Sequence, residues 1–198
     1  FFDEYIEKLK EVNINIEDVD YIILNHTEPD HSGAIEKLLK INPNIQLVGS
    51  KQAIDYIGFI CNTPFKSIVV KNGDELSLGN KTFRFYDAKF LHWPDTIFTY
   101  LIEDKVLFTC DSFGAHYSLD TVLKSTVKNK EEYMEAFKYY YENILYPFKS
   151  FFVQAIERIE DLDIDMVCTG HGPILDENPW ENIKLSKEYS LQEKPFEG

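Results

Sequence analysis

Asn25-His26-Thr27-Glu28-Pro29-Asp30-His31-Ser32-Gly33 puts four side chains able to hold a metal within six residues, directly after the apolar run Tyr21-Ile22-Ile23-Leu24. A short, continuously apolar run is what a strand buried on both faces looks like. If the chain stays extended beyond it, His26, Glu28 and Asp30 project to one side, because side chains on extended backbone alternate with a period of two. His31 comes one step later, where Ser32 is placed to cap a helix running through Leu39. One loop can thus serve two adjacent metals, the first pair of side chains on one and the second pair on the other.

Outward from this loop, three more segments follow the same layout of strand, polar loop, then helix or turn. His92 stands in Phe90-Leu91-His92-Trp93-Pro94-Asp95, Asp111 in Phe108-Thr109-Cys110-Asp111-Ser112, and His171 in Thr169-Gly170-His171-Gly172-Pro173. The inventory becomes four imidazoles and three carboxylates. Asp111 suits a bridge, since one carboxylate can span two ions roughly 3.5–4 Å apart. Ligands at strand ends of a rigid sheet suit a preorganised site.

The rest of the pattern supplies the scaffold. Helical spacing covers Phe1 to Val12, Gln52 to Ile60, Glu131 to Ile144 and Phe148 to Leu162. Strands are expected at Gln46-Leu47-Val48, Ser67–Lys71, Thr82–Tyr86 and Met166-Val167-Cys168, with Phe98–Ile102 and Val106–Thr109 forming a hairpin around Asp104-Lys105. Asn72-Gly73 and Gly79-Asn80 carry turn chemistry. The polar tail from Glu177 reads as a terminal helix or linker, which divides the chain into a metal-binding domain over 1–176 and an appendage over 177–198.

Composition narrows the function classes. The 198 residues allow one medium domain, and 44% hydrophobic content with 12 Tyr and 15 Phe predicts a packed interior. A net charge of −14 argues against a nucleic-acid partner, which needs clustered Lys and Arg. Cys61, Cys110 and Cys168 are isolated and odd in number, so neither a disulfide framework nor a thiolate zinc site is indicated, and a reducing cytoplasm fits. No apolar run is long enough to span a membrane. The opening at Phe1, already inside a helical pattern, is expected of a piece of something longer.

The loop at His26 resembles the HxHxDH hallmark of the metallo-β-lactamase superfamily, with Glu28 in place of the second His. That replacement, followed in order by His92, Asp111 and His171, resembles the flavodiiron proteins, and the likeness runs from about Tyr21 to Ile174. It implies an α+β metallo-β-lactamase-like αββα sandwich, here lacking its first strands. It implies two irons, with His26, Glu28 and His92 on one, Asp30, His31 and His171 on the other, and Asp111 bridging. The activity implied is reduction of dioxygen to water or nitric oxide to nitrous oxide, with Asp111 and Glu28 the catalytic carboxylates. The resemblance also implies FMN on a flavodoxin domain that this chain lacks, a flavodoxin-type or rubredoxin-like electron donor, and a head-to-tail homodimer.

Charge explains why Glu28 favours iron. Replacing Glu28 with a neutral His leaves the cluster one unit more positive and disfavours the ferric state, whereas zinc has no redox chemistry to support. Two other readings compete: an oxygen sensor using the same cage, and a zinc hydrolase, against which Glu28 argues. Nearby residues carry plainer readings. His116 is expected as an ordinary polar residue, Trp93 as core, Cys110 as a buried small hydrophobe, and Tyr139, Tyr140 and Tyr141 as packing or interface surface.

Overall fold

The computed structural model describes residues 2–192. Two sheets stack face to face with helices outside each. Sheet one is parallel, in the order β1 (Tyr21–Leu24), β2 (Gln46–Gly49), β3 (Lys66–Val69). Sheet two runs β4 (Glu75–Ser77), β5 (Thr82–Asp87), β6 (Ile97–Leu101), β7 (Val106–Cys110), β8 (Met166–Thr169), antiparallel except for the β7–β8 pair.

Alternation along each strand builds the layers. On β1, Tyr21 and Ile23 point between the sheets, where Val48, Val70, Phe85 and Ile97 are buried. Ile22 and Leu24 point the other way, into a core made with helices α1 (Phe2–Glu11), α3 (Ile35–Ile41) and α4 (Lys51–Ile60). Sheet two repeats the logic: Phe98 and Tyr100 face away from the inter-sheet layer, against α6 (Lys149–Ile159) and α7 (Pro179–Leu191). The result is the αββα sandwich expected.

Several boundaries differ from the sequence reading, each for a local reason. Ser32 does not cap a long helix. The chain turns earlier, with Glu28 preceding a single helical turn, α2 (Pro29–Ser32), because Pro29 is suited to the first helical position. α3 then starts separately after Gly33, and Ser32 Oγ instead donates to the Thr27 carbonyl at 2.9 Å. β4 was not anticipated: Glu75 and Ser77 are exposed on an edge strand without an apolar signature, held by pairing to β5 and by Arg84 on Glu75. The helix expected over Glu131 to Ile144 is α5 (Lys130–Tyr140), followed by a π turn at Tyr141–Leu145. α7 packs against α6 as part of the core, burying Asn182, Ile183, Ser186 and Ser190. The reading for Phe1 and for the end of the tail, 193–198, lies outside the described residues.

Candidate metal centre

All seven candidate ligands meet at one end of the two sheets. His26 follows β1, Glu28 and the α2 residues Asp30 and His31 come next, His92 lies in the β5–β6 loop, and Asp111 and His171 directly follow β7 and β8. Each strand end is fixed by its ladder, so the side chains converge without needing long ordered loops. Gly172 makes one tight approach possible: its φ is +78°, and a Cβ there would sit 2.4 Å from the Ala115 carbonyl oxygen.

Asp111 is the organising group. Its Oδ2 lies 3.0 Å from His92 Nε2 and 3.5 Å from His26 Nε2. Glu28 Oε2 closes that trio, 3.0 Å from His92 Nε2 and 3.8 Å from His26 Nε2. The other oxygen, Oδ1, lies 2.9 Å from His31 Nε2 and 3.4 Å from His171 Nε2. Asp30 Oδ2 completes the second trio, 3.5 Å from His31 Nε2 and 3.4 Å from His171 Nε2. A metal bound to nitrogen and oxygen at roughly 2.0–2.2 Å separates its neighbouring ligand atoms by roughly 3.0–3.5 Å, close to these spacings. The donor set also fits on a second ground. His26 Nε2 is buried with no hydrogen-bond partner, and His31 Nε2 and Asp111 Oδ1, though 2.9 Å apart, are not aligned for a good hydrogen bond, a costly state for polar atoms unless a cation satisfies them.

Asp111 stands between Glu28 and His92 on one side and Asp30, His31 and His171 on the other, while His26 Nε2 lies near both, 3.8 Å from Glu28 Oε2 and within 4.8 Å of ligand atoms of His31 and Asp111. His26 and Glu28 lie on non-helical backbone, but Asp30 and His31 reach the second trio from a helical turn, not from continued extended chain. The tautomer of His26 is set from behind. Thr96 Oγ1 donates to the Trp93 carbonyl at 2.8 Å, so it accepts from His26 Nδ1 at 3.4 Å and leaves Nε2 free to ligate.

Electrostatics follow from the crowding. Burial above all, with His31 and His92 adding and Asp111 opposing, pushes the His26 imidazole down to about 4. His31 is raised: burial works against it, but the Asp111 carboxylate outweighs that with help from Asp30 and Glu28. His92 is raised chiefly by Asp111, against burial. Asp111 itself would be raised by burial, yet its contacts with His31 and His92 hold it well below the usual carboxylate range.

These shifts predict the acid sensitivity of the metal-free form. His26 has a folded pKa below its ordinary 6.5, so it costs nothing above that pH and destabilises progressively below it, by about 3 kcal/mol near pH 4. His31 and His92 have raised values, so their contribution is complete below pH 6.5 and is lost only as pH rises. Urea unfolding of the chelated protein at pH 6.5 and 4.5 is expected to show the lower midpoint at 4.5. An unchanged midpoint would remove His26 from the buried cage.

Four neighbours lie close to the centre. His116 is exposed, but its ring stands edge-on to His171 at 5.5 Å and to Tyr140 at 4.7 Å. Tyr140 is buried, and its ring lies 6.1 Å from His171, whereas Tyr139 alone faces solvent as an interface residue would. Cys110 Sγ lies within 4.8 Å of ligand atoms of His26, His31 and Asp111, and burial pushes its thiol far up, so it is not a ready thiolate. Trp93 is half-buried beside His26, with ring centres 6.2 Å apart. A helical spacing of His116 or Tyr140 relative to the ligands could not have signalled these contacts, which depend on how α5 crosses the loop after Asp111.

The likenesses to known proteins point the same way. The family model described as ODP family beta lactamase matches residues 1–172. The flavo-diiron protein FprA2 of Clostridium acetobutylicum is 41% identical over 177 residues, 88% of this chain and 44% of that protein. The type A flavoprotein fprA of Rhodobacter capsulatus is 35% identical over 182 residues, 90% of this chain and 41% of that protein. Among solved structures, rubredoxin oxygen:oxidoreductase from Desulfovibrio gigas aligns with a TM-score of 0.91 at 26% identity, over 98% of this chain and 49% of its own. The flavodiiron protein from Giardia intestinalis aligns with a TM-score of 0.89 at 26% identity, over 96% and 46%. The chain thus spans less than half the length of these relatives. Layered fold, ligand order and likeness agree that this chain belongs to the ODP family of β-lactamase-like domains, the metallo-β-lactamase-like module of flavodiiron proteins.

Proposed function

We propose that the chain is the metal-binding part of a non-haem diiron gas reductase, which takes dioxygen to water, nitric oxide to nitrous oxide, or both. One observation carries this reading: the two oxygens of the buried Asp111 face two separate trios of ligands. His26, Glu28 and His92 would hold one iron and Asp30, His31 and His171 the other, with Asp111 between them. When bound, the ferrous pair supplies two electrons and an open coordination position for the gas.

The side chains do the rest. Asp111 would offer one oxygen to each ion, and Thr96 holds His26 with Nε2 free to ligate. Glu28 adds the anionic oxygen that supports the oxidised pair. Reducing dioxygen to two waters takes four electrons and four protons, so two electrons come from outside. Coupling two nitric oxides to nitrous oxide and water takes two of each. The names of the relatives support a flavin-bearing domain or a rubredoxin-like protein as the source; we further propose FMN on a flavodoxin-type domain and a head-to-tail homodimer that brings the flavin to the metals. A largely apolar cavity of about 490 Å³, lined by Tyr56, Phe59, Ile60, Trp93 and Pro94, opens beside His92 and suits the approach of such a donor. The metal-binding domain is proposed to run through 1–176 with a C-terminal helix or linker over 177–198, of which α7 packs into the same core. A cytoplasmic setting is supported by three free cysteines. Among the described residues, no helix is long and apolar enough to cross a membrane.

Elemental analysis of anaerobically purified protein is expected to give two irons per chain, with gas consumption on adding a reduced flavoprotein. Zinc alone, with cleavage of a thioester or lactam, would overturn the redox reading. Glu28→His is expected to raise the midpoint potential of the pair by on the order of 100 mV, since a unit charge at roughly 4 Å is worth about 4 kcal/mol at an intermediate dielectric. The same variant should shift loading from iron towards zinc. Redox titration and competitive loading measure the two effects. Unchanged potential and unchanged loading would refute the charge argument.

A further inference from the structure

Asp95 is wholly buried and stands outside the seven candidate ligands, yet it touches the loops that carry three of them. Its Oδ2 accepts a hydrogen bond at 2.8 Å from Thr27 Oγ1, and Thr27 lies between His26 and Glu28. Asp95 itself follows His92 by three residues. Its backbone carbonyl accepts from Ser50 Oγ at 2.8 Å, and the same hydroxyl accepts from Ala53 N at 3.1 Å, capping α4. The next residue, Thr96, orients His26, and Ile97 N donates to the Asn25 carbonyl at 2.8 Å. The segment from Asp95 to Ile97 thus joins the end of β1, the end of β2 and the start of β6.

A buried carboxyl is costly even with the Thr27 hydroxyl and the Thr27 and Asp95 backbone N–H groups against it, and among the described residues Asp95 Oδ1 meets no hydrogen-bond partner of good geometry. Retaining it needs a return that fold stability does not provide. We infer that Asp95 is a positioning residue for the metal position formed by His26, Glu28 and His92, acting through Thr27 to lock the two ligand loops together. This rests on the two-metal reading above. The other position is held differently: His31 and Ser32 donate their backbone N–H groups to the Glu28 carbonyl at 2.9 Å, so α2 carries its own bonds.

The test is anaerobic titration of the metal-free protein with Fe²⁺, resolving the two equivalents. Asp95→Ala is expected to weaken the first position roughly 10–100-fold, the range for losing a partner behind a metal ligand, and to leave the second within about threefold. Thr27→Val removes the same bond with little change in shape and is expected to reproduce the split if the alanine variant folds poorly. Asp95→Asn keeps an acceptor for Thr27 and is expected to restore most of the affinity. A mere loss of stability would weaken both positions together and would not be rescued by asparagine. Two equivalents bound as tightly in Thr27→Val as in the parent protein would overturn the assignment. Fewer than two equivalents in the parent protein itself would instead overturn the two-metal reading, and the assignment with it.

Discussion

Asp111→Ala is expected to strip metal from both positions at once and to abolish gas turnover. Structural sites with four ligands bind with roughly 10–16 kcal/mol, so one ligand accounts for about 3 kcal/mol, a factor of roughly a hundred. Asp111 contributes one oxygen to each trio, so the loss applies twice, and turnover should fall by on the order of ten-thousandfold. Removing His171 would strike only one side. Asp111→Asn makes the sharper comparison, because its single acceptor oxygen can serve one trio while its amide nitrogen faces the other. About one metal per chain is expected there, against two in the parent and close to none in the alanine variant. Elemental analysis reads the result, and an alanine variant that kept two irons would exclude a bridge at this position.

Removing the metals is expected to cost more than any single substitution. A ligand present at a thousand times its dissociation constant stabilises the folded state by about 4 kcal/mol, so two ions contribute about 8 kcal/mol. For a chain of this size each kcal/mol shifts the melting temperature by roughly 2–4 °C, giving a fall of roughly 20 °C on chelation. The physical source is visible in the cage. Without cations, Glu28, Asp30 and Asp111 share one crowded site with four imidazoles, and His26 Nε2 is buried without a hydrogen-bond partner. A melting temperature unchanged by chelator would mean that no cluster is bound.

Much of this centre was legible in the chain, because ligand types at strand ends announce themselves by composition. Four histidines and three carboxylates in a fixed order point to a metal cage before any coordinate is known, whereas the division into two trios came from the family resemblance. What could not be read was the path of the backbone between them. Pro29 turns the chain into α2 immediately after Glu28, so Asp30 and His31 arrive by a helical turn and not by the extended chain that a period of two assumes. The polar edge strand β4 has no apolar alternation to reveal it, since it buries little. The hydrogen bond between Thr27 and Asp95, 68 positions apart, is set by the stacking of the two sheets, which no local pattern encodes. Tyr140 was legible as a packing residue, but only the crossing of α5 shows that it packs on His171.

The pairing of β8 with β7 has a consequence for the order of events during synthesis. Val106 meets Met166, 60 positions later, across that ladder, and His171 follows only after that stretch has been made. Contacts this far apart form late, because a long segment must be closed before any bond rewards it. His26, Glu28, His92 and Asp111 have all left the ribosome long before then. Among the described residues, the donors that meet Asp111 Oδ2 are therefore all synthesised early, and His171, carried by the last strand, arrives after all the others.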